Sequence, residues 1–91
     1  MNIQAEVSLY PLGAPELGEA IDSFLGELEN TGLTVHKGNM SSTLAGDVDE
    51  VFAALGKAFK AVANRYKVVL ILKVSNACPS GGSESEIADS R

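Results

Sequence analysis

The feature that most constrains the fold is the strict alternation of apolar and polar side chains over residues 3–10. The apolar set is Ile3, Ala5, Val7 and Leu9, and the polar set is Gln4, Glu6, Ser8 and Tyr10. Side chains of a β-strand point alternately to the two faces of its sheet, so this pattern predicts a strand with one buried face. The other face carries an amide, a carboxylate, a hydroxyl and a phenol. Such a row can bind a small polar ligand, line a subunit interface or simply contact water.

Two segments have the periodicity of amphipathic helices. Pro15 suits the start of the first helix, and Gly32 suits its left-handed C-terminal cap. The apolar residues of this helix recur every three or four positions, and they are Leu17, Ile21, Phe24, Leu25 and Leu28. Asp47 and Glu50 form a capping-box pattern for the second helix, which we expect to run to about Asn64. Its predicted buried stripe is Val48, Val51, Phe52, Leu55, Phe59 and Val62.

The remaining apolar runs predict three further strands. Residues 33–37 and 40–45 flank the turn dipeptide Gly38-Asn39 and predict a hairpin. Residues 67–74 are apolar on both faces, which predicts a final strand covered on both sides over part of its length. This order of elements predicts an α+β, ferredoxin-like βαββαβ sandwich. Its antiparallel four-stranded sheet has the order 4-1-3-2, with two helices on one face and the first strand central.

Composition and charge narrow the classes of function. The chain has 91 residues, of which 45% are hydrophobic, so we expect one domain with a thin core over residues 1–79. Residues 80–91 are mostly Gly, Ser and acidic residues, with one lone Ile87, and we expect a flexible tail there. Seven Lys and Arg against twelve Asp and Glu give a net charge of −5, which argues against a nucleic-acid partner.

Cysteine content and hydropathy indicate the compartment. Cys78 is the only cysteine, so an intramolecular disulfide and a Cys-x-x-Cys pair are excluded. The N-terminus enters a strand almost at once, and no apolar run approaches the length of about eighteen residues that a membrane span needs. We therefore expect a cytoplasmic protein without direct membrane insertion.

The sequence offers little that would support an enzyme. No Ser/His/Asp or Cys/His arrangement can be read from the spacing, and the one histidine, His36, lies in the predicted edge strand. The strands supply too few His, Cys or clustered carboxylates for a metal site. Residues 11–15 lack the basic residue of an acylphosphatase-like loop, and the sheet lacks the exposed aromatics of an RNA-binding face. We predict no catalysis, no metal and no cofactor.

The open face of the predicted sheet is the remaining candidate site. If Met40 and Leu44 point to the core, Ser41 and Thr43 join the polar row of the first strand. The last strand adds Val69, Ile71, Lys73 and Ser75. Two interpretations stay open, a ligand site or a subunit interface in which Glu6 pairs across the strands with Lys73. The last strand is also a long apolar edge, which predicts a homo-oligomer.

Three short motifs lie at the ends of the first, third and fourth predicted strands. They are Ser8–Pro11, Ser41–Gly46 running into Asp49–Phe52, and Ser75–Pro79. In this order, over roughly residues 3–80, they resemble the YkoF-like family of thiamine- and hydroxymethylpyrimidine-binding proteins. The resemblance implies a non-enzymatic binder of thiamine or its pyrimidine precursor, linked in some members to a salvage transporter. Some members carry two tandem domains, so a single-domain chain would reach that arrangement as a dimer or tetramer.

The resemblance also implies a set of binding residues. By motif they are Ser8, Tyr10, Ser41, Ser42, Thr43, Asn76 and Cys78, and the carboxylate of Glu6 joins them. An aminopyrimidine needs paired donors and acceptors, and the thiazolium cation of thiamine favours an aromatic face or a carboxylate. We expect polar groups from the first, third and fourth strands to meet there, including Ser75 and Asn76. The alternative is an oligomeric interaction or regulatory module whose polar face is only a subunit interface.

Overall fold

The computed structural model describes residues 1–13 and 17–77 of the chain. The elements are β1 (Asn2–Pro11), α1 (Leu17–Asn30), β2 (Val35–Lys37), β3 (Ser42–Asp47), α2 (Val48–Ala63) and β4 (Val68–Ser75). Neighbouring strands pair antiparallel in the order β2-β3-β1-β4, which is the predicted 4-1-3-2 order read from the other edge. The ferredoxin-like prediction is confirmed. The predicted domain boundary at residue 79 and the predicted tail lie outside the described residues.

The core lies between one face of the sheet and the two helices. Its buried apolar side chains are Ile3, Ala5, Val7 and Leu9 from β1, Phe24, Leu25 and Leu28 from α1, Leu44 from β3, and Val51, Ala54, Leu55, Ala58 and Val62 from α2. Burying one large aliphatic or aromatic side chain stabilises a fold by roughly 1.5–3 kcal/mol. The apolar residues that alternate along β1 and those that recur along the helices therefore pack into a single core layer. This layer provides most of the stabilisation.

The helix ends follow from local chemistry. Asp47 caps α2 with extended backbone, and its Oδ2 accepts a hydrogen bond of 3.1 Å from the backbone N–H of Asp49. The N-terminal ammonium of Met1 lies 3.3 Å from Oδ1 of the same carboxylate. The hydrogen bond from Asp49, and then the one from the ammonium, lower the pKa of Asp47 below its usual value. After α1, Gly32 adopts a φ of +91°, as its predicted capping role requires.

Two side chains differ from their predicted positions. Met40 is 88% exposed, because the hairpin turn closes with a hydrogen bond from Gly38 N–H to the Ser41 carbonyl oxygen and β3 begins only at Ser42. Phe52 is 47% exposed, because it lies at the margin of the α2 stripe, one residue from the fully buried Val51. Both side chains were expected in the core, and both instead lie on the surface.

The last strand also differs in part from expectation. β4 lies at the edge of the sheet, as predicted, and its helix-facing residues Leu70 and Leu72 pack against the core. On the opposite face Val69 and Ile71 are exposed, so within the described residues the strand is covered on one side only. In residues 1–13 and 17–77, no helix has the length and apolar character needed to cross a membrane.

Candidate ligand-binding face

A row of side chains crosses all four strands on the open face of the sheet. His36 of β2 lies opposite Thr43 of β3, Thr43 lies opposite Glu6 of β1, and Glu6 lies opposite Lys73 of β4. Residues directly opposed on neighbouring antiparallel strands carry their side chains on the same face, within reach of one another. Glu6, on the central strand, therefore lies at the middle of this face.

Each oxygen of the Glu6 carboxylate has its own partner. The Ser41 hydroxyl donates a hydrogen bond of 2.8 Å to Oε2, and Lys73 Nζ lies 3.7 Å from Oε1. The predicted pairing of Glu6 with Lys73 is confirmed. The side chains of Lys73 and Glu6 are 80% and 45% exposed, so water screens this ion pair and the lysine is easily exchanged for another cation. The carboxylate is thus oriented by Ser41 and still accessible from solvent.

An open cavity of about 230 Å³ lies beside this carboxylate. Its polar lining is provided by Glu6, Ser8, Tyr10, Ser41 and Lys73, and its apolar lining by Met40 and Ile71. The Tyr10 side chain is half exposed at one end, and the Ser8 hydroxyl donates a long hydrogen bond of 3.4 Å to the Met40 carbonyl oxygen. One carboxylate, two hydroxyls, a phenol ring and two apolar walls suit a small polar ring that carries positive charge.

Half of the predicted site residues meet at this cavity, namely Glu6, Ser8, Tyr10 and Ser41. Thr43 shares the face and lies beside Glu6 without lining the cavity. Ser42 points to the helix side of the sheet, opposite Val7, and is only 6% exposed. Cys78 lies outside the described residues.

Asn76 is not brought to this cavity. Ser75, which precedes Asn76, pairs with Gln4, whereas Tyr10 pairs with Val69. Gln4 and Tyr10 are about 20 Å apart along β1, at about 3.3 Å per residue. The expected convergence of Ser75 and Asn76 with Tyr10 is therefore wrong, because an antiparallel β4 ends beside the start of β1.

Three lining residues were absent from the predicted site. Ile71 and Lys73 were placed on the open face by alternation but were not included among the binding residues. Met40 was expected in the core, since counting back in steps of two from the buried Leu44 reaches it. Applied to Ser42, the same count would have placed its side chain inward, where the structure has it, whereas the family motif had included it among the binding residues. The count fails at Met40 because the turn, rather than the strand, includes that residue.

Comparison with known proteins supports the fold and identifies the family. The sequence matches the model of the YKOF-related family over residues 2–81, and curated proteins gave no significant match. A candidate thiamine biosynthesis/salvage protein from Thermotoga maritima is 19% identical, with a TM-score of 0.78 and 100% of both chains covered. A hypothetical protein from Methanocaldococcus jannascii is 25% identical, with a TM-score of 0.79 and coverage of 98% of this chain and 94% of that one. A Streptococcus pneumoniae protein is 18% identical, with a TM-score of 0.80 and coverage of 97% and 99%. The chain described here belongs to the YKOF-related family.

Proposed function

We propose that this protein binds thiamine or its hydroxymethylpyrimidine moiety without turning it over, and that it serves the salvage of thiamine or its precursor in the cytoplasm. The resemblance to thiamine-binding members of the family supports the ligand class, and the Thermotoga maritima neighbour is named for thiamine biosynthesis or salvage. The observation that carries the proposal is the meeting of Glu6, Ser8, Tyr10 and Ser41 around one open cavity.

Charge supports thiamine as a ligand of this cavity. The thiazolium ring of thiamine is a permanent cation, and the accessible Glu6 carboxylate attracts it while the exposed Tyr10 ring offers a cation–π contact. The resident cation, Lys73, is held only by a solvent-screened ion pair. A bound thiazolium therefore replaces Lys73 beside Glu6 at small cost.

Hydrogen bonding supports the pyrimidine moiety. An aminopyrimidine presents an amino donor and ring-nitrogen acceptors, and the cavity offers a carboxylate acceptor together with the hydroxyls of Ser8 and Ser41. The imidazole of His36 lies on the edge strand, beyond Thr43 in the row, and does not line the cavity. We accordingly assign recognition to this site and expect the ligand to be recovered unchanged.

We also propose that the protein is a homo-oligomer, a dimer or a tetramer. β4 is a long edge strand, and its open face exposes Val69 and Ile71 beside the half-exposed Tyr10. An apolar patch along an unpaired sheet edge is typical of a surface covered by a second subunit. The same patch favours the second candidate function, an oligomeric interaction or regulatory module whose polar face is only a subunit interface.

Calorimetric titration with thiamine and with hydroxymethylpyrimidine separates the two functions. The binding proposal predicts a Kd below about 1 mM for both compounds, whereas the interaction module predicts no heat of binding for either. Glu6→Gln keeps the size of the side chain and removes its charge. It should therefore lower the affinity for thiamine more than the affinity for the uncharged hydroxymethylpyrimidine. His36→Ala is the matched control, since it changes the same row outside the cavity and should alter neither affinity. Absence of binding to the wild type at millimolar ligand rejects the proposal.

A further inference from the structure

The turn that joins β2 to β3 forms one wall of the cavity beside Glu6. Met40 and Ser41 belong to this turn, because β3 begins only at Ser42, and both residues line the cavity. Side-chain hydrogen bonds join the turn to β1. Ser41 Oγ donates to Glu6 Oε2 over 2.8 Å, and Ser8 Oγ donates to the Met40 carbonyl oxygen over 3.4 Å. The shape of the cavity and the contact to the carboxylate therefore both depend on where the turn lies.

Gly38 closes this turn through a backbone contact that leaves no room for a side chain. Its N–H donates a hydrogen bond of 2.9 Å to the Ser41 carbonyl oxygen. A Cβ on Gly38 would lie 2.7 Å from the same oxygen, well inside the optimal contact distance of about 3.5–4.0 Å between non-bonded heavy atoms. The φ of Gly38 is not positive, so the constraint is the close approach of backbone to backbone. Any larger residue at this position must displace the turn itself.

We propose that Gly38 is a positioning residue of the ligand site, because the turn it closes holds the Ser41 hydroxyl against Glu6 and places Met40 at the cavity wall. This inference rests on the proposed function, since it concerns how the same cavity is kept in its binding geometry. Gly38 does not line the cavity beside Glu6, so it acts through Ser41 and Met40. A carboxylate that is already held by a hydrogen bond loses less freedom when a cationic ligand binds, which favours affinity.

Two other glycines provide matched controls, because their surroundings differ. A Cβ added to Gly56, which is exposed on α2, meets no packing neighbour within 4 Å, so alanine fits there. A Cβ added to Gly46 of β3 would lie 3.2 Å from the Leu33 side chain, which packs against the core. Gly46 lies opposite Ile3 and does not line the cavity beside Glu6. Gly56→Ala therefore tests the loss of a glycine alone, and Gly46→Ala tests a crowded glycine away from the site.

Side-chain NMR of the ligand-free full chain tests the positioning directly. The carboxyl ¹³C resonance of Glu6 reports on the hydrogen bond from Ser41, and Ser41→Ala gives the value of this resonance without that bond. We expect Gly38→Ala to move the Glu6 resonance toward the Ser41→Ala value, and Gly56→Ala to leave it at the wild-type value. If Gly38→Ala also leaves it at the wild-type value, the turn accepts the added Cβ and the inference is rejected. This test needs no ligand, so its outcome does not depend on the proposed function.

Calorimetric titration with thiamine tests the consequence for binding. We expect Gly38→Ala to lower the affinity about three- to tenfold, the loss of one hydrogen bond, and Gly46→Ala to leave the affinity unchanged. Adding Gly38→Ala to Ser41→Ala should cost little more affinity, because the same hydrogen bond is already absent. A Gly38→Ala protein with a lower Tm and unchanged affinity would assign Gly38 to the fold alone and overturn the inference.

Two further outcomes keep the inference separate from the proposed function. If the wild type binds neither thiamine nor hydroxymethylpyrimidine while the Glu6 resonance still responds to Gly38→Ala, the proposed function fails and the positioning of Glu6 by the turn stands. If Gly38→Ala does not fold, Ser41→Ala and Ser41→Thr decide the matter, because only threonine keeps the hydroxyl. Loss of affinity in Ser41→Ala with recovery in Ser41→Thr supports the inference, and equal affinities in the two variants reject it.

Discussion

The two faces of the sheet are built from the same strands, but two helices cover one face and the other is open to solvent. On the face toward the helices, the apolar residues of β1 are at most 9% exposed, because α1 and α2 cover them. On the open face, Tyr10 and Ile71 are each 48% exposed, and Glu6 keeps access to solvent. The first face is covered by helices of the same chain, while the second is open to contacts with a ligand or another subunit. We therefore expect stability and recognition to depend on opposite sides of one layer.

The largest expected effect is on the covered face. Leu28→Ala removes a fully buried side chain and should lower the free energy of unfolding by about 2–5 kcal/mol, as measured by urea unfolding. Ile71→Ala on the open face is the comparison, and we expect less than about 1 kcal/mol because the side chain is already half exposed. Equal losses would show that the open face is also part of the core.

Self-association should depend on the open face. Val69→Lys places a charge beside Tyr10 without touching the cavity lining, so it should convert the oligomer to the 9.5 kDa monomer in light scattering. Phe52→Lys is the matched control, since Phe52 has a similar exposure on α2, and it should leave the oligomer mass unchanged. A wild-type protein that is already monomeric at tens of micromolar contradicts the proposed oligomer.

Ligand affinity should depend on the same face. Tyr10→Ala removes the exposed ring at the end of the cavity and should weaken thiamine binding by about 1 kcal/mol or more, measured by calorimetry. The Tm should change little, because the ring is half exposed and does not belong to the core cluster. A normally folded Tyr10→Ala protein that binds as well as the wild type would show that the site is misplaced.

The smallest expected effect concerns the cap of α2, which belongs to neither face. The pKa of Asp47 is lowered in the folded protein, so its stabilisation is present above the usual value of 3.8 and is lost as the pH falls through the lowered pKa. Asp47→Asn keeps a capping oxygen and cannot titrate. The Tm of this variant should be slightly below that of the wild type near neutral pH. The difference between the two Tm values should become smaller at about pH 2.5. If thermal unfolding followed by circular dichroism shows that the Tm difference increases on acidification, this assignment is contradicted.

The covered face could be predicted from the sequence because burial imposes a period on each element. The alternation of residues 3–10 and the helical spacing of Phe24, Leu25 and Leu28 are both direct consequences of packing on one layer. Phe52 shows the limit of this reasoning, because an apolar residue at the margin of a helical stripe fits a buried or an exposed position equally well.

The residues of the open face could be predicted only where their position does not depend on how the strands pair. The polar row of β1 was found from alternation alone, but the position of Met40 depends on where the hairpin turn ends, which one strand's pattern does not reveal. Ser42 was included in the site through the family motif, although alternation from Leu44 puts its side chain on the helix side. Asn76 could have been placed from the predicted fold, because in an antiparallel sheet the end of β4 lies beside the start of β1.

A crystal structure of the protein with saturating thiamine tests the central claim most directly. The account predicts the thiazolium on the open face, in contact with the carboxylate of Glu6 and the ring of Tyr10, and Lys73 withdrawn from Glu6. Thiamine bound on the outer surface of the helices, or an open face covered only by a second subunit with the Glu6–Lys73 pair intact, would contradict it.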